Sequence, residues 1–165
     1  METELEVSGV GFPPFSARGC VQELYPMAMT GDVFVRTVNG ELVYLGDGSD
    51  VKYGTNIKCQ DKDVPAFAHL WRGSPVTVAC IQPLLQPLLE EKTTLMRPFM
   101  KGSLRALNKK GEVIDFKVEE NVVCVSDVGG YVSYRPLLSM ALMDFKMTHN
   151  EWGGNTGWSM TLEEI

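Results

Sequence analysis

The residues of this chain that could do chemistry are few, and their spacing does not bring them together. There are two histidines, His69 and His149. Nucleophilic catalysis by a serine or cysteine needs one of them beside the nucleophile and an orienting acid, and no G-x-S-x-G elbow is present. His69, between Ala68 and Leu70, reads as a packed side chain, and His149, in a polar turn, as a solvated one. The carboxylate pairs Glu90-Glu91, Glu119-Glu120 and Glu163-Glu164 are adjacent in sequence, so on a strand their members point to opposite faces. That arrangement favours solubility over a general acid working with a general base. The four cysteines, Cys20, Cys59, Cys80 and Cys124, form no C-x-x-C and have no C-x-x-H neighbour, which argues against a zinc site. Each falls in a candidate strand. They read as small buried apolar side chains, or as disulfides formed after release to an oxidising exterior, with all three pairings open. Gly46 to Asp50 offers too few oxygen ligands for calcium. Gly9-Val10-Gly11 is too short a fragment to cradle a phosphate. No enzyme activity, cofactor or metal is expected.

Composition points the same way. The 165 residues are 44% apolar and 22% charged, enough apolar material for one globular domain. The net charge of -6 argues against a general nucleic-acid surface, which needs clustered cations to neutralise phosphates. The start, Met1-Glu2-Thr3-Glu4, carries no basic n-region or apolar h-region. The longest apolar run, near Leu137 to Met143, is far short of the about 20 residues that span a bilayer. A protein made in a cytoplasm, without a membrane partner, is expected.

The elements that must position any site are strands. Trp158, Met160 and Leu162 alternate with Ser159, Thr161 and Glu163, a period of two with an apolar row on one face. With Leu137 to Met147 and a turn-rich loop over residues 149–156, this predicts a long C-terminal hairpin with Trp158 in the core. Val33 to Leu45 brackets Asn39-Gly40, which predicts a hairpin closed by a two-residue type I′ turn. Strands are predicted at Thr55 to Gln60 and Pro75 to Ile81, and a short helical turn over Ala66 to Trp71. Further hairpins are predicted over Ser103 to Val118, around Asn108 to Gly111, and over Asn121 to Arg135, around Asp127 to Gly130. Nine or ten strands at short spacing indicate an all-β fold, an antiparallel β-sandwich or β-barrel.

Two segments resist regular assignment. Residues 1–19 read as an extended N-terminal arm ahead of a single all-β domain, 20–165. Its Val10, Phe12 and Phe15 must be covered by the parent domain or by a neighbouring subunit. Residues 82–104 read as an irregular apolar flap, because Pro83, Pro87 and Pro98 interrupt it and Leu84, Leu85 and Leu88 crowd it. Trp71 and Trp152, in glycine-flanked loops, are candidate interface anchors. Val10, Phe12, Phe15, Trp71, Leu84, Leu85, Leu88 and Trp152 are therefore the candidate subunit-interface residues.

Certain phrases recur in a fixed order: Ser16-Ala17-Arg18-Gly19, Arg36 to Leu42, Tyr53 with Ile57-Lys58-Cys59, and Pro65-Ala66 leading to Leu70-Trp71. Tyr134-Arg135-Pro136, and Glu151-Trp152-Gly153 with Gly157-Trp158, complete the series. Their order and spacing resemble small virion proteins from the tail and baseplate module of tailed bacteriophages. Residues 82–118 are longer and more apolar than in that pattern. The resemblance implies a non-enzymatic structural subunit on a β-sandwich or barrel, repeated as rings around the tail axis. It implies as partners further copies of the chain and other tail proteins, and as location the virion tail after synthesis in a host cytoplasm. It implies no catalytic or cofactor residue. A negative lumen would limit sticking of DNA passing along such a tube. The rival expectation is a β-barrel module that binds a receptor, a small ligand or a carbohydrate.

Overall fold

Strand pairing among the described residues is antiparallel throughout, and it builds two hydrophobic cores. The structure is a computed structural model that describes residues 3–27, 34–45 and 51–165. Among them are fifteen strands and no helix. The larger sheet has six strands in the order β1-β6-β14-β15-β5-β2. These are β1 (Glu6–Val7), β2 (Val21–Met27), β5 (Lys52–Asp61), β6 (Pro75–Ala79), β14 (Leu137–His149) and β15 (Thr156–Glu164). A four-stranded sheet, β10-β9-β13-β7, comprises β7 (Leu84–Pro87), β9 (Arg105–Leu107), β10 (Val113–Ile114) and β13 (Tyr131–Tyr134). A three-stranded sheet, β11-β12-β8, comprises β8 (Lys92–Thr94), β11 (Phe116–Glu119) and β12 (Val122–Val125). A separate hairpin holds β3 (Phe34–Arg36) and β4 (Leu42–Tyr44).

The C-terminal hairpin is the spine of the larger sheet. Trp158, Met160 and Leu162 are buried, as their alternation requires. On β14 the buried set is Leu138, Met140 and Leu142. Continued alternation would turn Asp144 and Lys146 into the core. A bulge between Leu142 and Asp144 prevents this: Met143 is the extra residue, and the ladder resumes with Asp144 opposite Thr161 and Phe145 opposite Met160. Phe145 now packs on the core, and Asp144 and Lys146 face outwards as an ion pair.

The sheet curls without closing into a barrel. Gln22, buried on edge strand β2, accepts hydrogen bonds at its side-chain oxygen from the backbone N–H groups of Ile81 (2.7 Å) and Gln82 (3.1 Å), just beyond β6. Its amide nitrogen donates to Thr55 Oγ1 at 3.0 Å. One side chain thus bridges the seam where a ladder of backbone bonds would close a barrel.

The second core lies between the four- and three-stranded sheets, a small sandwich filled by Leu88, Leu95, Leu104, Ala106, Val123, Val125, Val132 and Tyr134. This corrects two sequence expectations. The stretch 82–104 is not irregular: it supplies β7 and β8, and Leu88 is fully buried. Pro87 is tolerated because β7 is an edge strand. Nor do β12 and β13 form a hairpin. β12 pairs with β11 and β8, β13 pairs with β9 and β7, and Asp127 to Gly130 carries the chain from one sheet to the other. The hairpin around Asn108 to Gly111 is present as β9 and β10, but β11 leaves it for the other sheet. Arg97 ties the two cores together. Its Nε and Nη2 donate to the two carboxylate oxygens of Glu164 at 2.6 and 3.0 Å, and Nη2 also donates to the Val51 carbonyl at 2.6 Å.

The arm lies on its own domain. Leu5 and Val7 are buried, and β1 pairs with β6. Phe12 packs 6.3 Å from the Trp158 ring, and the Trp158 indole N–H donates to the Ser16 carbonyl at 2.7 Å. Phe15 sits in the left-handed region (φ 63). Two backbone N–H groups, of Lys62 (3.1 Å) and Asp63 (3.0 Å), donate to its carbonyl there. Arg18 ends the arm: its backbone N–H, Nε and Nη2 all donate to Asp61. Arg18 and the neighbouring backbone donors hold the Asp61 carboxyl well below the usual carboxylate range.

Two expectations follow from these contacts. Trp158→Phe keeps the apolar ring but strips the buried Ser16 carbonyl of its donor, and should cost about 1–3 kcal/mol in denaturant unfolding; an unchanged midpoint would remove this bond from the account of the arm. Because the Asp61 pKa is lowered on folding, its stabilisation is present above the unfolded value of about 4 and lost as pH falls below it. Acid unfolding should begin there, and Asp61→Asn should flatten that limb while lowering stability at neutral pH.

Candidate functional site

The features left without a role in either core are apolar and exposed. The β3–β4 hairpin is the foremost. Phe34 stands opposite Tyr44 with ring centroids 5.1 Å apart, Val35 opposite Val43, and Arg36 opposite Leu42. Phe34, Arg36, Leu42 and Tyr44 share one face and Val35 and Val43 the other, so both faces are apolar. Phe34 is 58% exposed, Leu42 55%, and Val38 at the tip fully so. Among the described residues the hairpin pairs with no other strand.

The turn departs from the two-residue expectation. Thr37 N–H donates to the Glu41 carbonyl at 2.9 Å and Gly40 N–H to the Thr37 carbonyl at 2.8 Å, closing a three-residue loop. Of the loop residues only Gly40 is left-handed, at φ 81. The register explains this. A two-residue loop at Asn39-Gly40 would set Phe34 against Leu45; the odd loop sets it against Tyr44 and gains the aromatic pair. Val33, the first residue assigned to this hairpin, and the turn at Gly46 to Asp50 lie outside the described residues.

The second feature is a cleft of about 510 Å³ lined by Phe67, Leu70, Trp71, Arg72, Leu142 and Phe145. Trp71 is 79% exposed. The segment that carries it is not a helical turn: Ala66 bridges to Gly11, and Leu70 N–H donates to the Phe67 carbonyl at 2.7 Å. Bridging to the arm holds Ala66 extended, which overrides the local helical preference. Phe67 forms the floor, edge-on to Phe145 at 4.3 Å and to Trp158 at 5.4 Å. Arg72 and Asp144 pair across the rim at 2.8 Å. Arg72 first, then Lys146, pulls the Asp144 carboxyl below its ordinary range.

Trp152 is the third, 97% exposed at the tip of the C-terminal hairpin. The Asn150 side-chain oxygen accepts from the N–H groups of Trp152 and Gly153, both at 3.1 Å, and so shapes the loop that presents the indole.

The eight candidate residues therefore separate. Trp71 and Trp152 are exposed, and so are Leu85 and Phe15, the latter lying under the Arg18 guanidinium at 4.4 Å. Val10 and Phe12 pack on the first core, Leu84 packs on the second, and Leu88 is interior to the second. Leu88 cannot reach a partner. The hairpin surface was missed, although its signal is present in sequence: five apolar residues in two short strands, without the polar alternation that marks a face turned to solvent.

His69 is exposed, against the expectation of a packed side chain, because the turn after Phe67 carries it outwards. His149 is exposed too, with Nδ1 3.0 Å from Thr156 Oγ1. Among the described residues no cluster of His, Cys, Asp or Glu is placed to hold a metal ion. Comparison with known proteins returns no match, whether with family models, curated proteins or solved structures.

Gly40→Val forces a β-branched residue into the left-handed region and should cost the hairpin about 1–2 kcal/mol or more. The loss should be local. Amide exchange at Val35 and Val43 should accelerate while the cooperative melting of the two cores stays in place. A matching drop in global stability would mean that the hairpin packs on the domain.

Proposed function

We propose that this protein is a non-enzymatic structural subunit that assembles with copies of itself through the β3–β4 hairpin. The observation that carries this is the hairpin's two apolar faces, exposed together on a two-stranded unit. Such a unit is only marginally stable in water, so its exposed side chains favour burial against a partner. A hairpin on one copy and a different receiving surface on the next make a head-to-tail contact, which closes into a ring when the rotation permits. The resemblance to tail and baseplate proteins extends the proposal to rings around a bacteriophage tail, in a virion, with other tail proteins as neighbours. The acidic charge of -6 is in keeping with a subunit that does not hold DNA.

The test is the solution mass across a concentration series, for the native chain and for a Phe34→Asp, Val38→Asp variant. The native chain should form discrete higher oligomers. The variant should remain monomeric with an unchanged far-UV spectrum. A native chain that is monomeric at every concentration, or a variant that assembles normally, would overturn the proposal. Finding the chain in purified particles made by its own genome would support the virion assignment, and its exclusion from them would refute it.

A binding module is the second reading, favoured by the aromatic cleft under Trp71 with its charged rim. It predicts a ligand-dependent change in Trp71 fluorescence with no change in mass.

A further inference from the structure

We infer that Cys20 and Cys59 are a pre-arranged dithiol that closes to an intrachain disulfide on exchange with a small-molecule disulfide. The ladder between β2 and β5 begins with Val21 opposite Lys58; its register, extended one residue beyond the strand, brings Cys20 to Cys59, and the two thiols lie within hydrogen-bonding reach of each other. Both thiols converge on one turn of the arm. Cys20 Sγ–H donates to the Ala17 carbonyl at 3.1 Å, and Cys59 Sγ–H to the next carbonyl, of Arg18, at 3.4 Å. The two groups are close enough to perturb each other's titration. The other two cysteines have different surroundings. Cys80 faces Gln22, and Cys124 stands on β12 between Lys117 and Lys92 in another sheet.

The half-buried Cys20 is the entry point, since Cys59 lies in the core. The Cys20 thiolate attacks one sulfur of the small disulfide, forms a mixed disulfide and expels one small thiolate. Cys59, once deprotonated, attacks the Cys20 sulfur, forms the Cys20–Cys59 bond and expels the second. The protein gives up two electrons, the reagent gains them, and the two cysteine protons end on the two released thiols.

Burial pushes the Cys20 thiol up to about 12, with Cys59 and Asp61 adding to the shift and the Thr3 hydroxyl opposing it; Arg18 is paired with Asp61 alongside. Thiolate is therefore scarce at neutral pH, and closure is slow in the folded protein. The bond would close a covalent loop that contains β2, the β3–β4 hairpin and β5, and at the Val21–Lys58 end of the ladder it would tie the end of the arm to β5.

The experiment incubates the folded full-length chain with glutathione disulfide, alkylates the remaining thiols in denaturant, and maps the peptides by mass. A Cys20–Cys59 linked peptide, lighter by two hydrogens, is expected, with Cys80 and Cys124 alkylated. The closure rate should rise about tenfold per pH unit between roughly pH 7 and 9, following the thiolate fraction. Cys59→Ser should stop at a glutathione adduct on Cys20, and Cys20→Ser should leave Cys59 unreacted. A chain that remains fully alkylatable, a stable glutathione adduct on native Cys20, or a link through Cys80 or Cys124 would each overturn the inference.

Discussion

The Trp158 side chain is the contact on which the rest of the first core depends. Its indole nitrogen holds the Ser16 carbonyl, and its rings meet Phe12 from the arm and Phe67 from the loop after β5. Three segments far apart in sequence are thus referred to one residue at the middle of the sheet. Phe67 in turn positions Phe145 and the floor of the Trp71 cleft. An aromatic with one polar tip is suited to this, because it fills a large volume and fixes an orientation as well.

The two cores divide the work. The first is anchored by long strands and closed by side chains: Gln22 at the seam, Arg18 on Asp61 at the arm, Arg97 on Glu164 at the junction. The second is a sandwich of short strands held by Leu, Val and Ala side chains and by Tyr134. Charged groups at these junctions are multiply hydrogen-bonded, the condition under which a half-buried pair is not a liability. The exposed apolar surface stands apart from both. The hairpin and the two tryptophans project from loops and short strands, so they can be spent on contacts without loosening either core.

What sequence made legible was local. The alternation around Trp158 identified its strand and its inward face, and Asn39-Gly40 identified a hairpin, because both signals reside in a few consecutive residues. What it did not show depends on partners distant in the chain. The prolines at 83 and 87 hid β7, whose place as an edge strand only the sheet order reveals. Val122–Val125 and Tyr131–Tyr134 look like the arms of one hairpin, yet the sandwich assigns them to opposite sheets. The candidate interface was read from apolar residues in irregular stretches. That found Trp71 and Trp152 but included Leu88, which a core was waiting for, and left out the β3–β4 hairpin, whose unbroken apolar run shows two apolar faces without showing that they are exposed.

Met143 shows how little separates a folded strand from a misassembled one. Up to Leu142 the even-numbered residues of β14 are the buried ones; beyond it the odd-numbered Phe145 packs on the core, and Asp144 and Lys146 face outwards. The strand therefore has a parity, and Met143 is where it changes. Were Met143 paired as an ordinary strand residue, every downstream side chain would stay chemically intact and yet Asp144 and Lys146 would turn to the oil and Phe145 to the water; deleting it would leave a plain ladder with the present facing. Length variation in this chain is thus not interchangeable with length variation in its loops: elsewhere along β14, a change of one residue and a change of two are different kinds of event.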